Sequence, residues 1–283
     1  DGDYITGYNY FYLNYCPIQR IVYKNKKNKQ GQEELIKVRE LAFPDFYDYD
    51  YYYFQAIESA QDQGKHLCVA KARRKGYSYK GGSMLCRNFF LIPGSKSYVY
   101  ASNKQYLTDD GILTKAWDYM DFIDENTAWG KKRQAVNTSM RRRASMIVTD
   151  NFGNKIEVGY KSEIIGVSLK DNPDAVRGKA GMLILWEEAG TFPELKAAWQ
   201  IARPSVEQDG VAFGLMIMFG TGGDEGPAVM TLREAFYNPK SYNCIGFENI
   251  WDDGIQSKEC GFFIPQHTNC LLYTSDAADD LTR

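Results

Sequence analysis

Residues 66–82 read HLCVAKARRKGYSYKGG. The first five residues form an apolar run typical of a short buried strand, and a basic turn containing a glycine follows directly. A turn of this kind before a helix offers phosphate groups backbone N–H donors, a cation and a hydroxyl. Gly76 allows close backbone approach and Ser78 supplies the hydroxyl, but Tyr77 stands where such loops normally carry lysine. The stretch predicts a phosphate-binding loop whose cation comes from elsewhere.

Candidate cations lie within the same stretch. The flexible stem of Lys71 lets it reach the phosphate position from the beginning of the loop. The other candidates for binding the nucleotide are Arg73, Arg74 and Lys75, with Gly76, Tyr77 and Ser78 completing the loop. The alternative is a plain solvated basic turn.

The surrounding pattern predicts an α/β fold. Residues 81–92 suit a helix and residues 97–102 a second strand, which gives the strand–loop–helix–strand order of a parallel sheet flanked by helices. Residues 182–186 and 211–219 are apolar runs expected of strands covered on both faces. We also expect an N-terminal β-hairpin, two helices and a β-rich insertion. Their predicted positions are 20–39 for the hairpin, 44–64 and 103–125 for the helices, and 145–150, 155–160 and 163–168 for the inserted strands.

Composition excludes several classes of protein. The chain has 283 residues with a net charge of -2, and 44% of them are hydrophobic, which is ordinary for a globular protein. It contains no apolar run long enough to span a membrane and no secretory signal pattern. The six cysteines never form a C-x-x-C pair and only two histidines could join them, so we expect free thiols in a reducing compartment and no zinc site.

Two adjacent carboxylates follow the apolar run at 182–186. Glu187 and Glu188 would lie at the carboxyl end of a buried strand, where open parallel sheets bind ligands. The natural division of roles has Glu187 and Ser78 holding hydrated Mg²⁺ while Glu188 polarises an attacking water. The alternative is an acidic helix start favoured by the helix dipole.

A third element, FGTGGDEG, occupies residues 219–226 after the second long apolar run. Thr221 would sit at the edge of a strand, where it can sense the terminal phosphate of a nucleotide. A flexible loop of small residues is the alternative. The order and spacing of the three elements suit a P-loop NTPase core of the RecA/ASCE-like kind, with ATP and Mg²⁺ as cofactors and an insertion between the first two elements.

From about residue 9 to about residue 250 the chain resembles the ATPase half of a tailed-phage terminase large subunit. Its KARRKGYS resembles the deviant opening motif of lambdoid terminases, DAVRGKAGMLILWEEAG the Arg-Gly element with its carboxylate strand, and FGTGG the coupling motif. The resemblance implies that Lys71 is the displaced phosphate lysine and Tyr77 a family trait. Most members carry Asp at the position of Glu187, so Glu187 departs from the family pattern.

The resemblance also implies a function and partners. It implies ATP hydrolysis that drives double-stranded DNA into a procapsid through a homo-oligomeric ring, with the portal protein and a small terminase subunit as partners. The location would be the host cytoplasm, at the portal of the procapsid and not in the mature virion. Alternatives are another P-loop translocase or helicase, which needs a second RecA-like domain after residue 240, and a DNA- or portal-binding module with a decayed ATPase.

Domain boundaries follow from these patterns. We expect a hairpin segment at 1–40, the ATPase domain at 41–240 and the start of a linker at 241–269. The family's nuclease half would follow the linker. Residues 270–283, CLLYTSDAADDLTR, resemble a translated sequencing adapter, and we expect the natural sequence to be interrupted near Asn269.

Several further residues are candidates for nucleotide or DNA contacts. Arg74 (or Arg73) is a candidate for stabilising the transferring phosphoryl group, and Arg177 for sensing it or for contacting a neighbouring subunit. The alternative for each arginine is a surface ion pair. Gln55 is a candidate for contacting adenine, with helix packing as the alternative. The basic triplets at 131–133 and 141–143 are candidates for DNA phosphate contacts, with a solvated edge as the alternative.

Overall fold

The strand that precedes the glycine turn lies inside an eight-stranded sheet. The computed structural model describes residues 4–28, 31–170, 172–221 and 226–265. Its helices are α1 (Gly7–Tyr15), α2 (Asp48–Asp62), α3 (Tyr77–Leu91), α4 (Gln105–Thr108), α5 (Ile112–Asn126), α6 (Leu195–Ala202) and α7 (Pro227–Tyr237). Its strands are β1 (Ile18–Lys27), β2 (Glu33–Ala42), β3 (Leu67–Lys71), β4 (Lys96–Ala101), β5 (Val136–Asn137), β6 (Arg141–Arg143), β7 (Met146–Thr149), β8 (Lys155–Val158), β9 (Glu163–Ser168), β10 (Leu183–Trp186), β11 (Glu207–Gln208), β12 (Val211–Ala212), β13 (Leu215–Thr221), β14 (Phe247–Glu248), β15 (Glu259–Cys260) and β16 (Phe262–Ile264).

The order of strands in the central sheet brings the three predicted motifs to one edge. The order is β16-β3-β13-β10-β4-β9-β6-β5, and the first six strands run parallel to one another. β13 therefore lies between β3, which leads into the glycine turn, and β10, which leads into the two carboxylates. In the register of β3 and β13, Lys71 pairs with Thr221. The predicted α/β fold with a mainly parallel sheet is confirmed.

Alternating side chains of the central strands build one core on each face of the sheet. Leu183 and Leu185 of β10 pack in a cluster with residues of α1, α2, α3 and α5. Ile184 and Trp186 point to the other face and pack in a second cluster with α6 and α7. All four residues are 0% exposed, which explains why this strand has no polar position.

Two predicted elements are interrupted in the structure. The helix expected over residues 103–125 breaks into α4 and α5 at Gly111, where an added Cβ would lie 2.1 Å from the carbonyl oxygen of Tyr106. The prediction of one strand over residues 211–219 is wrong. Phe213 is 67% exposed and separates β12 from β13, because β12 turns back to pair with β11.

The predicted hairpin and β-rich insertion are present, and the structure adds elements that the sequence did not predict, among them α1, α6 and α7. β1 and β2 form the antiparallel hairpin, and β5–β9 lie in the predicted β-rich insertion. β16, from the segment expected to begin a linker, joins the central sheet beside β3. The boundaries at residues 40, 240 and 269 stay predictions, and residues 270–283 lie outside the described part of the chain.

The described residues also bear on the expectations about cysteines and membrane spans. Five cysteines are described, and all are buried with free thiols: Cys16, Cys68, Cys86, Cys244 and Cys260. In the same part of the chain, no helix combines the length and apolar character that a membrane span needs.

Candidate nucleotide-binding site

The turn between β3 and α3 is shaped by backbone conformations that most residues avoid. Gly76 caps the N-terminus of α3 with φ +70°, in the left-handed region where glycine carries no Cβ penalty. Arg74 has φ +60° in the same turn, at a cost of roughly 1–2 kcal/mol for a residue with a Cβ. Glu188, at the end of β10, is held in the same region, so two such residues lie at this edge of the sheet.

Lys71 is the last residue of β3 and contacts a carboxylate from β10's end. It is 8% exposed, and its Nζ lies 2.9 Å from Oε1 of Glu188. Oε2 of Glu188 lies 3.4 Å from both the backbone N and the Oγ1 of Thr221. The ends of β3, β10 and β13 thus place a cation, a carboxylate and a hydroxyl in direct contact.

Glu187 contacts the serine of the glycine turn. Ser78, in the first turn of α3, donates a hydrogen bond from Oγ to Oε1 of Glu187 at 2.6 Å. Glu187 is 3% exposed, and its Oε2 is buried without a hydrogen-bond partner among the described residues. Burial raises the pKa of Glu187 to about 7, against the opposing effect of the Ser78 hydrogen bond.

Backbone geometry explains how adjacent glutamates reach different partners. Glu187 directly follows β10, whereas Glu188 has φ +48° and ψ +58° and begins a 3₁₀ turn over Ala189–Thr191. The left-handed conformation at Glu188 turns the chain immediately after the strand. This arrangement separates the carboxylate that contacts Ser78 from the one that contacts Lys71.

Tyr77 does not face the loop's outer side. Its ring is 3% exposed and packs against Tyr53 and Phe219, with ring centroids 4.8 and 5.7 Å away. Burial raises the pKa of its hydroxyl well above the ordinary value. A lysine at this position would bury its ammonium group among aromatic rings, which is costly. The tyrosine therefore belongs to the core beneath the loop, and the lysine that meets the carboxylates is Lys71.

Lys80 is a structurally important residue that sequence reasoning missed. Its side chain is 2% exposed, and its Nζ lies 2.9 Å from Oδ1 of Asp50 on α2. The same Nζ donates a hydrogen bond to the carbonyl oxygen of Lys75 at 2.5 Å and lies 4.9 Å from the ring centre of Tyr77. Lys80 thus links the glycine turn to α2 through buried polar contacts. Lys80 follows Gly76 by four residues and therefore lies about one helical turn further along α3. The sequence does not reveal that Asp50 is its partner.

Other predicted site residues have contacts that leave their roles as predictions. Arg73 and Arg74 lie exposed in the turn, while Lys75 is buried at 9% exposure. The amide of Gln55 donates to the carbonyl oxygen of Tyr4 at 2.9 Å. Arg177 is exposed and pairs with Asp174 at 2.6 Å.

Most residues of the two basic triplets contact side chains of the insertion or of α5. Arg143 lies 2.6 Å from Glu157 and 3.3 Å from Glu163, and Arg141 lies 2.5 Å from Glu163. Arg142 pairs with Asp121 at 3.2 Å. Similarly, Arg133 pairs with Asp124, and the Lys131 ammonium lies 4.1 Å from the ring centre of Tyr160. These intramolecular pairs favour the structural interpretation of the triplets over DNA contacts.

The donor set fits Mg²⁺ in the way that nucleotide sites use it. Magnesium is commonly bound by one or two protein oxygens, with phosphates and waters completing the shell. Ser78 Oγ and Glu187 Oε1 are adjacent, and Glu187 carries the orphaned buried Oε2. Within the described ranges no group of three or more His, Cys, Asp or Glu side chains could hold a metal by itself. A metal here would therefore depend on ligand oxygens as well.

Comparison with solved structures bears on this arrangement. A point mutant of the Thermus phage P74-26 large terminase ATPase domain superposes with a TM-score of 0.56 and 16% identity, covering 79% of this chain and 82% of that chain. The chain has the fold of a phage large terminase ATPase domain. A second structure of the P74-26 domain gives a TM-score of 0.52 at 16% identity, covering 78% and 86% of the two chains. No protein-family model and no curated protein sequence matches the chain. At this identity the likeness establishes the fold alone, and the chemistry rests on the side chains described above.

Proposed function

We propose that this chain hydrolyses ATP at the edge where β3, β10 and β13 end. The observation that carries the proposal is the 2.9 Å contact between Lys71 Nζ and Glu188 Oε1. It joins a cation at the start of a glycine turn to a carboxylate beside a second carboxylate that contacts the turn's serine. This is the set of groups that phosphoryl transfer from ATP requires.

Each side chain has a role in this proposal. The backbone N–H groups at the start of α3 and the ammonium of Lys71 bind the phosphates. Ser78 and Glu187 hold Mg²⁺, which offsets charge that develops on the phosphate oxygens. Glu188 accepts a hydrogen bond from the attacking water and orients it toward the terminal phosphate.

The link from hydrolysis to motion runs through Thr221. Thr221 contacts the carboxylate of Glu188 and ends β13, and the chain continues into α7 beyond residues 222–225. A change at Glu188 on loss of the terminal phosphate would therefore reach Thr221 directly. We assign Thr221 the coupling role, with residues 222–225 lying outside the described part of the chain.

The proposed biological role is packaging of viral double-stranded DNA into a procapsid. The fold shared with P74-26 large terminase ATPase domains supports this role. It brings with it the portal protein, a small terminase subunit and a homo-oligomeric ring as proposed partners, and the host cytoplasm as the proposed location. In such a ring the exposed Arg177 is a candidate contact to the neighbouring subunit, and Arg74 or Arg73 a candidate for stabilising transferred charge.

The position of Tyr77 weakens the case for a decayed ATPase. That alternative relied on tyrosine replacing the usual loop lysine, yet Tyr77 packs in the core and Lys71 contacts the carboxylate instead. The loss of the usual lysine therefore need not mean the loss of a cation at the site.

Steady-state ATP hydrolysis by Lys71→Ala tests the proposal. We expect loss of turnover by a factor of at least about a hundred, since a preorganised charge at the reacting phosphate contributes several kcal/mol. Lys155→Ala is the matched control because this lysine lies exposed on β8. Turnover by Lys71→Ala equal to that of the control would refute the assignment of the phosphate lysine.

A further inference from the structure

The hairpin of β1 and β2 has two faces of different character. Its ten-residue strands pair from Ile18 with Ala42 to Lys27 with Glu33. Directly paired residues point to the same side, so odd-numbered residues of both strands form one face and even-numbered residues the other. Every odd-numbered residue from 19 to 27 and from 33 to 41 is exposed, whereas the even-numbered positions nearest the base are partly buried. We call the odd-numbered residues the open face.

Cations on the even-numbered face are balanced by nearby carboxylates. Arg20 lies 2.8 Å from Asp45, and Lys24 pairs with Glu40. Lys26 stands directly opposite Glu34 in the register of the two strands. Little positive charge on this face remains for a partner.

The open face has the opposite property. It carries Lys27, Lys37 and Arg39 against a single carboxylate, Glu33, which stands directly opposite Lys27 in the register. None of these three cations forms an ion pair with another described residue, and the Lys37 ammonium lies 5.5 Å from the ring centre of Tyr23 on the same face. The three positions run along about 20 Å of the ribbon, at roughly 3.3 Å per residue.

We propose that the open face of this hairpin binds the sugar-phosphate backbone of double-stranded DNA. The inference rests on the proposed function in that a DNA-translocating ATPase needs a duplex-binding surface. Unpaired cations spaced along one face match the regular negative charge of a duplex, and a two-stranded ribbon is narrow enough to enter its major groove. Tyr23 adds a hydroxyl that can donate to a phosphate oxygen.

Two observations favour DNA over an acidic protein partner. Among the predicted alternative DNA contacts, Arg133 and all three arginines of the triplet at 141–143 pair with carboxylates within the chain. On the open face, in contrast, Lys37 and Arg39 stand opposite uncharged residues, Tyr23 and Ile21. Its exposed apolar side chains, Leu41 at 58%, Ile21 at 53% and Leu35 at 62%, are spread from the base towards the tip, and Ile21 stands directly opposite Arg39.

The test replaces Lys27, Lys37 and Arg39 together with glutamine. The unaltered chain and the variant are compared by fluorescence anisotropy with a labelled duplex of arbitrary sequence, over a series of salt concentrations. We expect binding of the variant to be at least tenfold weaker at low salt. The slope of log affinity against log salt should fall by about three, because each lost phosphate contact removes about 0.9 from it.

A matched control separates the face from net charge. Lys96, Lys155 and Lys258 are exposed lysines outside the hairpin and the two basic triplets, and their triple replacement with glutamine removes the same charge. An equal loss of affinity in the control would overturn the proposal, since it would show a non-specific effect of charge. Unchanged affinity in the hairpin variant would also overturn it and would leave an acidic protein as the partner to seek. Absence of duplex binding by the unaltered chain would contradict it as well.

ATP turnover without DNA, measured on the same preparations, distinguishes failure of this inference from failure of the proposed function. If the unaltered chain hydrolyses ATP and the hairpin variant shows the same salt slope as that chain, DNA binding by the hairpin is rejected and the proposed ATPase function is retained. Loss of duplex binding in the hairpin variant, with no hydrolysis by any variant, supports the hairpin and rejects the ATPase.

Discussion

Glu188 contacts both the lysine that ends β3 and the threonine that ends β13. Its left-handed backbone at φ +48° places it there, a conformation costing roughly 1–2 kcal/mol for a residue with a Cβ. Strain of this kind persists where the surroundings enforce it and is concentrated at functional sites. The contacts of Glu188 are therefore consistent with a catalytic carboxylate that also reports on the phosphate to β13.

Replacement of Glu188 with glutamine tests this role. Glutamine retains the size but removes the basic carboxylate, so we expect kcat for ATP hydrolysis to fall by about 10²–10⁴-fold with a smaller change in KM. Steady-state kinetics with saturating Mg²⁺ is the measurement. If kcat is unchanged, Glu188 does not activate the water.

Lys80 gives a stability prediction at the same scale. Lys80→Met leaves the Asp50 carboxylate without its buried ammonium partner, and we expect a loss of about 3–5 kcal/mol in the free energy of unfolding. Urea denaturation measures the loss. The double replacement Lys80→Met with Asp50→Leu should recover part of it, because no charge then stays buried. A loss no larger than that of Lys155→Met, on the exposed β8, would contradict a structural role for the pair.

At the scale of elements, the sequence pattern predicts strands better than it predicts which side chains pair with each other. Continuous apolar runs predicted β3 and β10 because strands buried on both faces have no polar position. The prediction of one strand over residues 211–219 was wrong because Phe213 is exposed although it is as apolar as its buried neighbours. The residue type alone does not distinguish an exposed apolar side chain from a buried one. The Lys80–Asp50 ion pair could not be predicted from the sequence for another reason. Its two residues lie on different helices and come together only in the folded chain.

The grouping of the candidate site residues was predictable in part for the same reason. Lys71, Ser78, Glu187 and Glu188 adjoin a glycine turn or a strand end, which sequence pattern marks directly. The structure places Lys71 against Glu188 and Ser78 against Glu187. Whether a given arginine reaches solvent or a carboxylate depends on its neighbours across strands. The triplet on β6 therefore could not be assigned before Glu157 and Glu163 were located.

The β6 triplet supplies a prediction about the insertion. Arg143→Gln removes hydrogen bonds to Glu157 at 2.6 and 3.0 Å, and we expect a loss of about 1–3 kcal/mol in the free energy of unfolding. Affinity for duplex DNA should stay unchanged, because this guanidinium is already paired. Thermal denaturation and anisotropy on one preparation check both expectations. Weaker DNA binding without a change in stability would return the triplet to the DNA-binding surface.

At the scale of the whole molecule, a buried polar cluster joins distant segments on the side of the sheet away from the site. Glu207 accepts hydrogen bonds from Arg203 at 2.5 Å and from Asn243 at 2.5 Å, and it lies 3.2 Å from Nε2 of His66. Nδ1 of His66 accepts from the backbone N–H of Met216 on β13 at 3.3 Å. Burial alone would raise the pKa of Glu207, but the close contact with His66 and the hydrogen bonds from Asn243 and Arg203 outweigh it and lower the pKa to about 2.

This cluster predicts acid sensitivity with a definite sign. Because the folded pKa of Glu207 lies below its ordinary value of 4.5, its stabilising effect is present above that value and is lost as pH falls toward about 2. Burial also lowers the pKa of His66 below 6.5, so protonation of His66 opposes folding as pH falls below that value. Urea unfolding across this range should show a shallower acid loss for Glu207→Gln than for the unaltered chain. Parallel pH profiles would contradict the linkage.

The convergence of Lys71, Ser78, Glu187 and Glu188 on one triphosphate is tested most directly by a crystal structure with Mg²⁺, ADP and a phosphate-mimicking metal fluoride. We predict the Lys71 ammonium within hydrogen-bond distance of the phosphate oxygens or the fluoride group, Ser78 Oγ in the magnesium shell, and Glu188 facing the position of the attacking water. A nucleotide bound away from the edge formed by β3, β13 and β10, with Lys71 still paired to Glu188, would contradict the account.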